Sequence, residues 1–206
     1  TLAFVAECME RGIVSEREMG GTVGFAEPHA LSDLIRKTAR MEGIGAHLGL
    51  GSVRIAERFG GDAPKYLHAV KGMEMPGHSA RGLRGMSLAY AVSTRGGTHQ
   101  DGRPNYLTLD PDPGFDPQPE LLVKINAHTA VGDSLVICRF TGERGLGIPL
   151  NDDVAGVVRS VTGWDMALGE LEKVGERIYN LERLINVERG VTRRDDTLPY
   201  RVMNEP

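Results

Sequence analysis

The chain has 206 residues, 40% of them hydrophobic and 25% charged, and a formal net charge of -4. That length suits one medium domain or two small ones with a real core, and the mild acidity argues against a broad nucleic-acid or anionic-membrane surface. No apolar run is long enough to span a bilayer, no secretory signal opens the chain, and Cys8 and Cys138 are too few for a disulfide framework, so a reducing, cytoplasmic setting is expected.

Helical periodicity dominates. Residues 1–12 place Leu2, Val5 and Met9 on one stripe, with Gly12 as a stop. Residues 29–43 repeat the pattern with Leu31, Leu34, Ile35 and Thr38. A third helix is expected over 44–59, through Ile44, Leu48, Val53, Ile55 and Phe59, ending before Gly60 and Gly61. Residues 70–77, where glycine and proline bracket two methionines, mark a boundary, so two units are expected, 1–72 and 73–206. Residues 100–118 form a long loop rich in proline and aspartate, either functional or a solvated excursion. A helix follows over 119–131. The clearest helix runs from about 166 to 189, where Leu171, Val174, Ile178, Leu181 and Ile185 step by three and four and Gly190 ends it. Residues 193–201 read as a charged, solvated tail fixed by Leu198 and Pro199. No convincing alternating strand appears. The fold class is therefore all-α, an irregular multi-helical arrangement of two packed helical units.

The chemistry-bearing residues are sparse. In RGGTHQDG, from Arg95 to Gly102, an arginine fork that suits phosphate leads into two glycines that let backbone come close to a ligand. His99 follows and can handle a proton near neutrality; a plain surface turn is the simpler reading. The upstream residues 76–97 are rich in small side chains, which serve a ligand or a close helix contact equally well. Cys138 lies among Val136, Ile137 and Phe140, as a small buried hydrophobe would, or else is a metal or cluster ligand. Asp133, five residues earlier, reads as a cap. An iron–sulfur cluster needs about four thiolates, so the other ligands of any cluster at Cys138 must lie outside this chain. The six histidines show no zinc-type spacing, and His128 reads as packed or solvated rather than catalytic. The glycines of HLGLGS (47–52) lack the strand that a dinucleotide fingerprint requires, and no phosphate loop, HExxH or GxSxG is present.

Several blocks together, in order and spacing, carry a resemblance. MPGHSARGLRGMSLAYAVSTRGGTH (75–99), DSLVICRF (133–140), GWDM (163–166) and VGERIYNLERLINVERGVTRRDDTLPYR (174–201) resemble the C-terminal part of the tungsten-containing aldehyde ferredoxin oxidoreductase family, as does EGIGAHLGLGSVRIAERFG (42–60). The resemblance implies the end of the second family domain at 1–72 and most of the third at 73–206. It implies a tungsten bis-pterin cofactor (tungstopterin) and a 4Fe–4S cluster at the junction with a β-rich base domain. Cys138 would be the fourth cluster ligand, after three cysteines that precede this region. Asp133 would hydrogen-bond the pterin, with Ile137 and Arg139 of the same motif also facing the cofactor. Arg95 would contact a pterin or its phosphate. His99 would sit beside the tungsten and serve catalysis. Two departures stand out: the family's Gly-Leu before the cysteine is Val136-Ile137 here, and its Asp-Pro before the Arg-Gly segment is His78-Ser79-Ala80.

The implied activity is oxidation of a small aldehyde to a carboxylic acid, with ferredoxin as electron acceptor. The implied partners are ferredoxin, the N-terminal part of the same polypeptide and a second copy of the subunit, with neither nucleic acid nor membrane. The chain starts at Thr1 rather than methionine, so a longer polypeptide is expected, and the 206 residues alone are expected to be inactive. Two alternatives stay open. One is a related tungsten enzyme, such as the catalytic subunit of a benzoyl-CoA reductase. The other is a helical scaffold or interaction module without activity of its own.

Overall fold

The computed structural model describes residues 1–24, 28–82, 84–102, 119–138 and 150–205. Most of the 100–118 loop, and Arg139, lie outside them. The described residues form helices apart from one antiparallel pair of two-residue strands, β1 (Ala69–Val70) and β2 (Met73–Glu74). They divide into two compact units, 1–75 with 198–205, and 76–197.

In the first unit, α1 (Leu2–Glu10), α2 (Glu16–Met19), α3 (Pro28–Arg40), α4 (Ile44–Leu48) and α5 (Ser52–Phe59) surround Phe4, Val5, Cys8, Met19, Leu34 and Ile55. The single helix expected over 44–59 is two. Gly51 adopts φ 82°, a left-handed value that breaks the run between α4 and α5. The freed N-terminus of α5 is capped from β2, where Glu74 Oε1 accepts the Ser52 N–H at 2.8 Å, a carboxylate at the positive end of a helix. Burial, then the nearby Glu7 charge, pushes the Cys8 thiol up to about 11, so this cysteine stays a protonated core residue. The tail expected at 193–201 is instead structured. Its end forms α10 (Tyr200–Asn204), and Arg201 donates to both oxygens of Glu7, at 2.7 and 3.3 Å.

The second unit contains α6 (Arg84–Val92), α7 (Pro119–Ser134), α8 (Asp152–Thr162) and α9 (Leu168–Glu188). Val131, Leu150, Val154, Ala155, Val158 and Leu171 form its core. α9 lies almost against the backbone of α7: a Cβ on Gly175 would stand 2.0 Å from the Ala127 carbonyl oxygen. The apolar stripe the sequence suggests is covered only in its first half, where Leu171 is buried and Val174 and Ile178 are half-buried. Leu171 and Gly175 are buried, whereas Leu181 is 58% exposed and Leu184 and Ile185 are exposed with it. The reason is that glycine, not leucine, permits the closest helix approach, so the face containing Gly175 packs. α6 and α8 were not anticipated. α6 is masked in sequence by its many small residues, and α8 by a short valine-rich run whose N-cap, Asn151, accepts the Val154 N–H at 3.0 Å.

Two outcomes follow from this packing. Helix propensity alone favours alanine over glycine by about 1 kcal/mol, so Gly156→Ala, with nothing within 4 Å of its Cβ, is expected to raise the melting midpoint. Gly175→Ala is expected to lower it, because overpacking two backbones costs about 1–3 kcal/mol; equal shifts for both variants would refute the close-contact account. The second outcome concerns acid. Burial disfavours ionised Glu7, but its contacts with Arg201 and Arg11 outweigh that and hold its carboxyl below the ordinary 4.5. Its stabilisation is therefore complete above about pH 4.5 and is lost as pH falls through the lowered value. Glu7→Gln is expected to cost on the order of 1 kcal/mol at neutral pH, with the gap to wild type closing in urea titrations as pH falls through the lowered value. A gap that stays constant would exclude the ion-pair explanation.

Candidate functional site

α6 buries Met86, Ala89 and Tyr90, spaced as one helical face, and delivers the chain to Ser93 and Thr94, both buried. The RGG loop begins there, and a buried carboxylate closes it. Asp101 is 6% exposed. Its Oδ2 accepts from Ser93 Oγ, and its Oδ1 accepts from Arg95 through both Nε and Nη2. Within the loop Gly96 has φ 103°, a value that excludes side chains. Thr98 N–H donates to the Gly96 carbonyl at 2.6 Å, closing a three-residue turn. Gly102 ends the loop against α7, where a Cβ would meet Asn126 Oδ1 at 2.3 Å.

A polar stripe on α9 holds the start of the loop. Tyr179, Glu182 and Asn186 are spaced by three and four, so they share a face. Tyr179 Oη donates to the Val92 carbonyl at 3.3 Å, Asn186 Nδ2 donates to the Thr94 carbonyl at 2.6 Å, and Glu182 accepts from Thr94 Oγ1 at 2.8 Å. Burial, with the Asp101 and Glu182 charges, holds the Tyr179 phenol well above its usual pKa, so it remains a donor. Below this stripe, His128 on α7 is 4% exposed with Nε2 2.9 Å from Glu172 Oε1. It is a packed residue, and its ring contributes to keeping Glu172 ionised.

The second segment leaves the C-terminus of α7. Ile137 N–H bonds the Gly132 carbonyl at 3.0 Å and Val136 N–H bonds the Asp133 carbonyl at 3.1 Å, the paired closure of a Schellman motif. Val136 holds the left-handed position, φ 58°, where the resembled family has glycine. Asp133 is thus in the last turn of α7 rather than at a helix or turn cap. Ile137 turns its side chain toward the unit's core. Cys138 is exposed rather than the buried hydrophobe its neighbours suggest.

The two segments meet where Arg95 Nη2 lies 3.8 Å from Asp133 Oδ2, with both side chains about half exposed. His99 belongs to the same loop as Arg95. Its Nε2 lies 3.0 Å from the amide nitrogen of Gln100, and its ring centroid lies 5.2 Å from that of His78. Among the described residues no group of three or more His, Cys, Asp or Glu side chains could hold a metal ion, and no helix is long and apolar enough to cross a membrane. Arg139 lies outside the described residues. Sequence reasoning missed Asp101 and the 179/182/186 stripe. The signal was present in three polar residues at helical spacing on an otherwise amphipathic helix.

Comparison with known proteins gives this arrangement its relatives. Residues 1–206 match the family described as aldehyde ferredoxin oxidoreductase, domains 2 and 3. The chain is 36% identical to the tungsten-containing aldehyde ferredoxin oxidoreductase of Pyrococcus furiosus and 35% identical to that of Pyrococcus abyssi, in each case over 100% of this chain and 35% of the relative. It is 29% identical, over 97% of its length and 31% of the relative's, to the WOR-like subunit of an aliphatic sulfonate oxidoreductase from Pyrococcus furiosus. The chain therefore spans about a third of the length of the curated relatives it matches. In fold it is similar to a chain of the active site complex BamBC of benzoyl coenzyme A reductase, solved with 1,5-dienoyl-CoA. That likeness has a TM-score of 0.69 at 19% identity, over 98% of this chain and 37% of the other. A full-length family match and these identities have one reading: the chain belongs to the aldehyde ferredoxin oxidoreductase family, as the part that corresponds to its second and third domains.

Proposed function

We propose that this chain forms the C-terminal, cofactor-facing portion of a tungsten-pterin oxidoreductase that converts aldehydes to carboxylic acids and passes the electrons through a 4Fe–4S cluster to ferredoxin. The observation that carries the reading is the approach of Arg95 to Asp133. It joins the loop bearing His99 to the turn bearing Cys138, although the two are distant in sequence.

The donor set fits the cofactors as one wall of a site. An exposed Cys138 thiol supplies one cluster ligand of the roughly four needed, whereas protonated, buried Cys8 supplies none. Half-exposed Arg95 and Asp133 offer a donor fork and an acceptor side by side, which suits the hydrogen-bonding edges of a pterin. Gly96 lets backbone come close. Ile137 commits its side chain to the core, so it would contribute backbone only. Arg139 is assigned through its motif alone. Bound tungsten would supply the two-electron redox chemistry. The chain's own task is to orient substrate and handle a proton. His99 Nε2 contacts the side-chain amide of Gln100 at 3.0 Å, and the ring donates or accepts there according to its tautomer. The imidazole of His99 can handle a proton near neutral pH, the role the resemblance implies for it.

A second reading keeps the cofactor and changes the substrate. His78 stands where the resembled family has Asp-Pro, and it packs on the His99 ring, so the pocket wall is altered beside the reacting group.

His99→Asn keeps a donor and removes the titratable ring. In the complete natural polypeptide, turnover per tungsten is expected to fall by roughly 10²–10⁴-fold, the range for a lost general acid–base, with tungsten and iron near wild type. A metal-replete, fully active variant would end the catalytic assignment. Cys138→Ser is expected to behave differently, losing cluster iron first and electron transfer with it. Elemental analysis beside steady-state rates separates the two, and full iron in the serine variant would overturn the ligand assignment.

A further inference from the structure

We propose that Asp101 is a positioning residue that acts through Arg95; the proposal rests on the reading of Arg95 as a cofactor contact and deepens it. Asp101 is nearly enclosed, and its two oxygens have divided duties. Oδ1 takes the Nε and Nη2 edge of Arg95, and Oδ2 takes the Ser93 hydroxyl. Arg95 is about half exposed: its Nε and Nη2 edge is tethered to Asp101, and the same Nη2 lies 3.8 Å from Asp133 Oδ2. A guanidinium without that tether would swing on a flexible stem. Fixing one edge removes that freedom before any ligand arrives, which lowers the ordering cost of binding.

Among the described residues, Arg95 is the charged partner of Asp101. Thr94 Oγ1 is 3.4 Å from Oδ2 but directs its hydrogen to Glu182, at 2.8 Å. Tyr179 donates to the Val92 carbonyl and stays protonated. The strong charge-assisted contact of Asp101 is therefore with Arg95. Because Asp101 and Arg95 bracket Gly96 to Gln100, the same contact closes the loop that presents His99. Asp101 touches no reacting group in this arrangement, so its influence passes through the arginine and the loop.

Asp101→Asn is nearly isosteric and retains an acceptor for Ser93, but it removes the charge that tethers Arg95. The test is a double-mutant cycle with Arg95→Gln in the complete natural polypeptide, read as tungsten retained per folded chain after dialysis. A second readout is the Arg95 Nε–H signal in nitrogen NMR spectra of the same proteins. Expected is a roughly tenfold weaker retention for each single variant, the order of a lost charge-assisted hydrogen bond. The double variant is expected to be no worse than either single one, and the protected Nε–H signal to vanish in Asp101→Asn. Losses that multiply, or full retention in Asp101→Asn beside loss in Arg95→Gln, would overturn the proposal. So would a lowered melting midpoint with normal retention, which is the mark of a purely structural residue. If Arg95→Gln retains all its tungsten, the cofactor reading of Arg95 fails; the tether is then judged by the Nε–H signal alone, standing if Asp101→Asn abolishes it and falling if the signal persists.

Discussion

The second unit depends on one close contact, the meeting of α9 with α7 at Gly175 and Ala127. Two helices that touch through backbone have little freedom to slide or rotate, since any side chain at the crossing would force them apart. The crossing therefore fixes the azimuth of α9, and with it the direction in which Tyr179, Glu182 and Asn186 face. Those three residues hold the carbonyls of Val92 and Thr94 and the Thr94 hydroxyl. α7 in turn meets the far end of the same loop at Gly102 and carries Asp133 and Cys138 on its closing turns. One helix pair thus anchors both ends of the loop and the second segment of the site.

Among the described residues of the loop, charge is arranged around the Arg95 guanidinium. Arg95 Nη2 contacts the Asp101 carboxylate and lies 3.8 Å from the Asp133 carboxylate, and Glu182 accepts from Thr94.

Much of this was legible in the residues. The helices at 1–12, 29–43, 119–131 and 166–189 follow from apolar periodicity, and the all-helical class follows from them. That the Arg95 loop and the Asp133 turn face one cofactor was implied by the family resemblance alone, and Arg95 and Asp133 lie 3.8 Å apart. The failures have physical causes. Periodicity continued the buried face of α9 through Leu181 and Ile185, which are exposed, whereas Gly175 sets the close crossing. Gly51 broke a run that hydrophobic spacing alone makes continuous. Asp101 was hidden because a buried carboxylate looks, in sequence, like any loop aspartate until its hydroxyl and guanidinium partners fold around it.

The end of α7 carries a consequence of its own. A β-branched residue in the left-handed conformation costs about 1–2 kcal/mol, and Val136, 90% exposed, recovers none of it by packing. The turn before Cys138 is therefore nearer to its open form than a glycine-capped turn would be. In hydrogen-exchange terms, its amides belong to a shallower layer of protection than the helix they close. The thiol thus sits at a seam in the local stability of the unit, where the backbone yields while α7 and its partner helix stay intact.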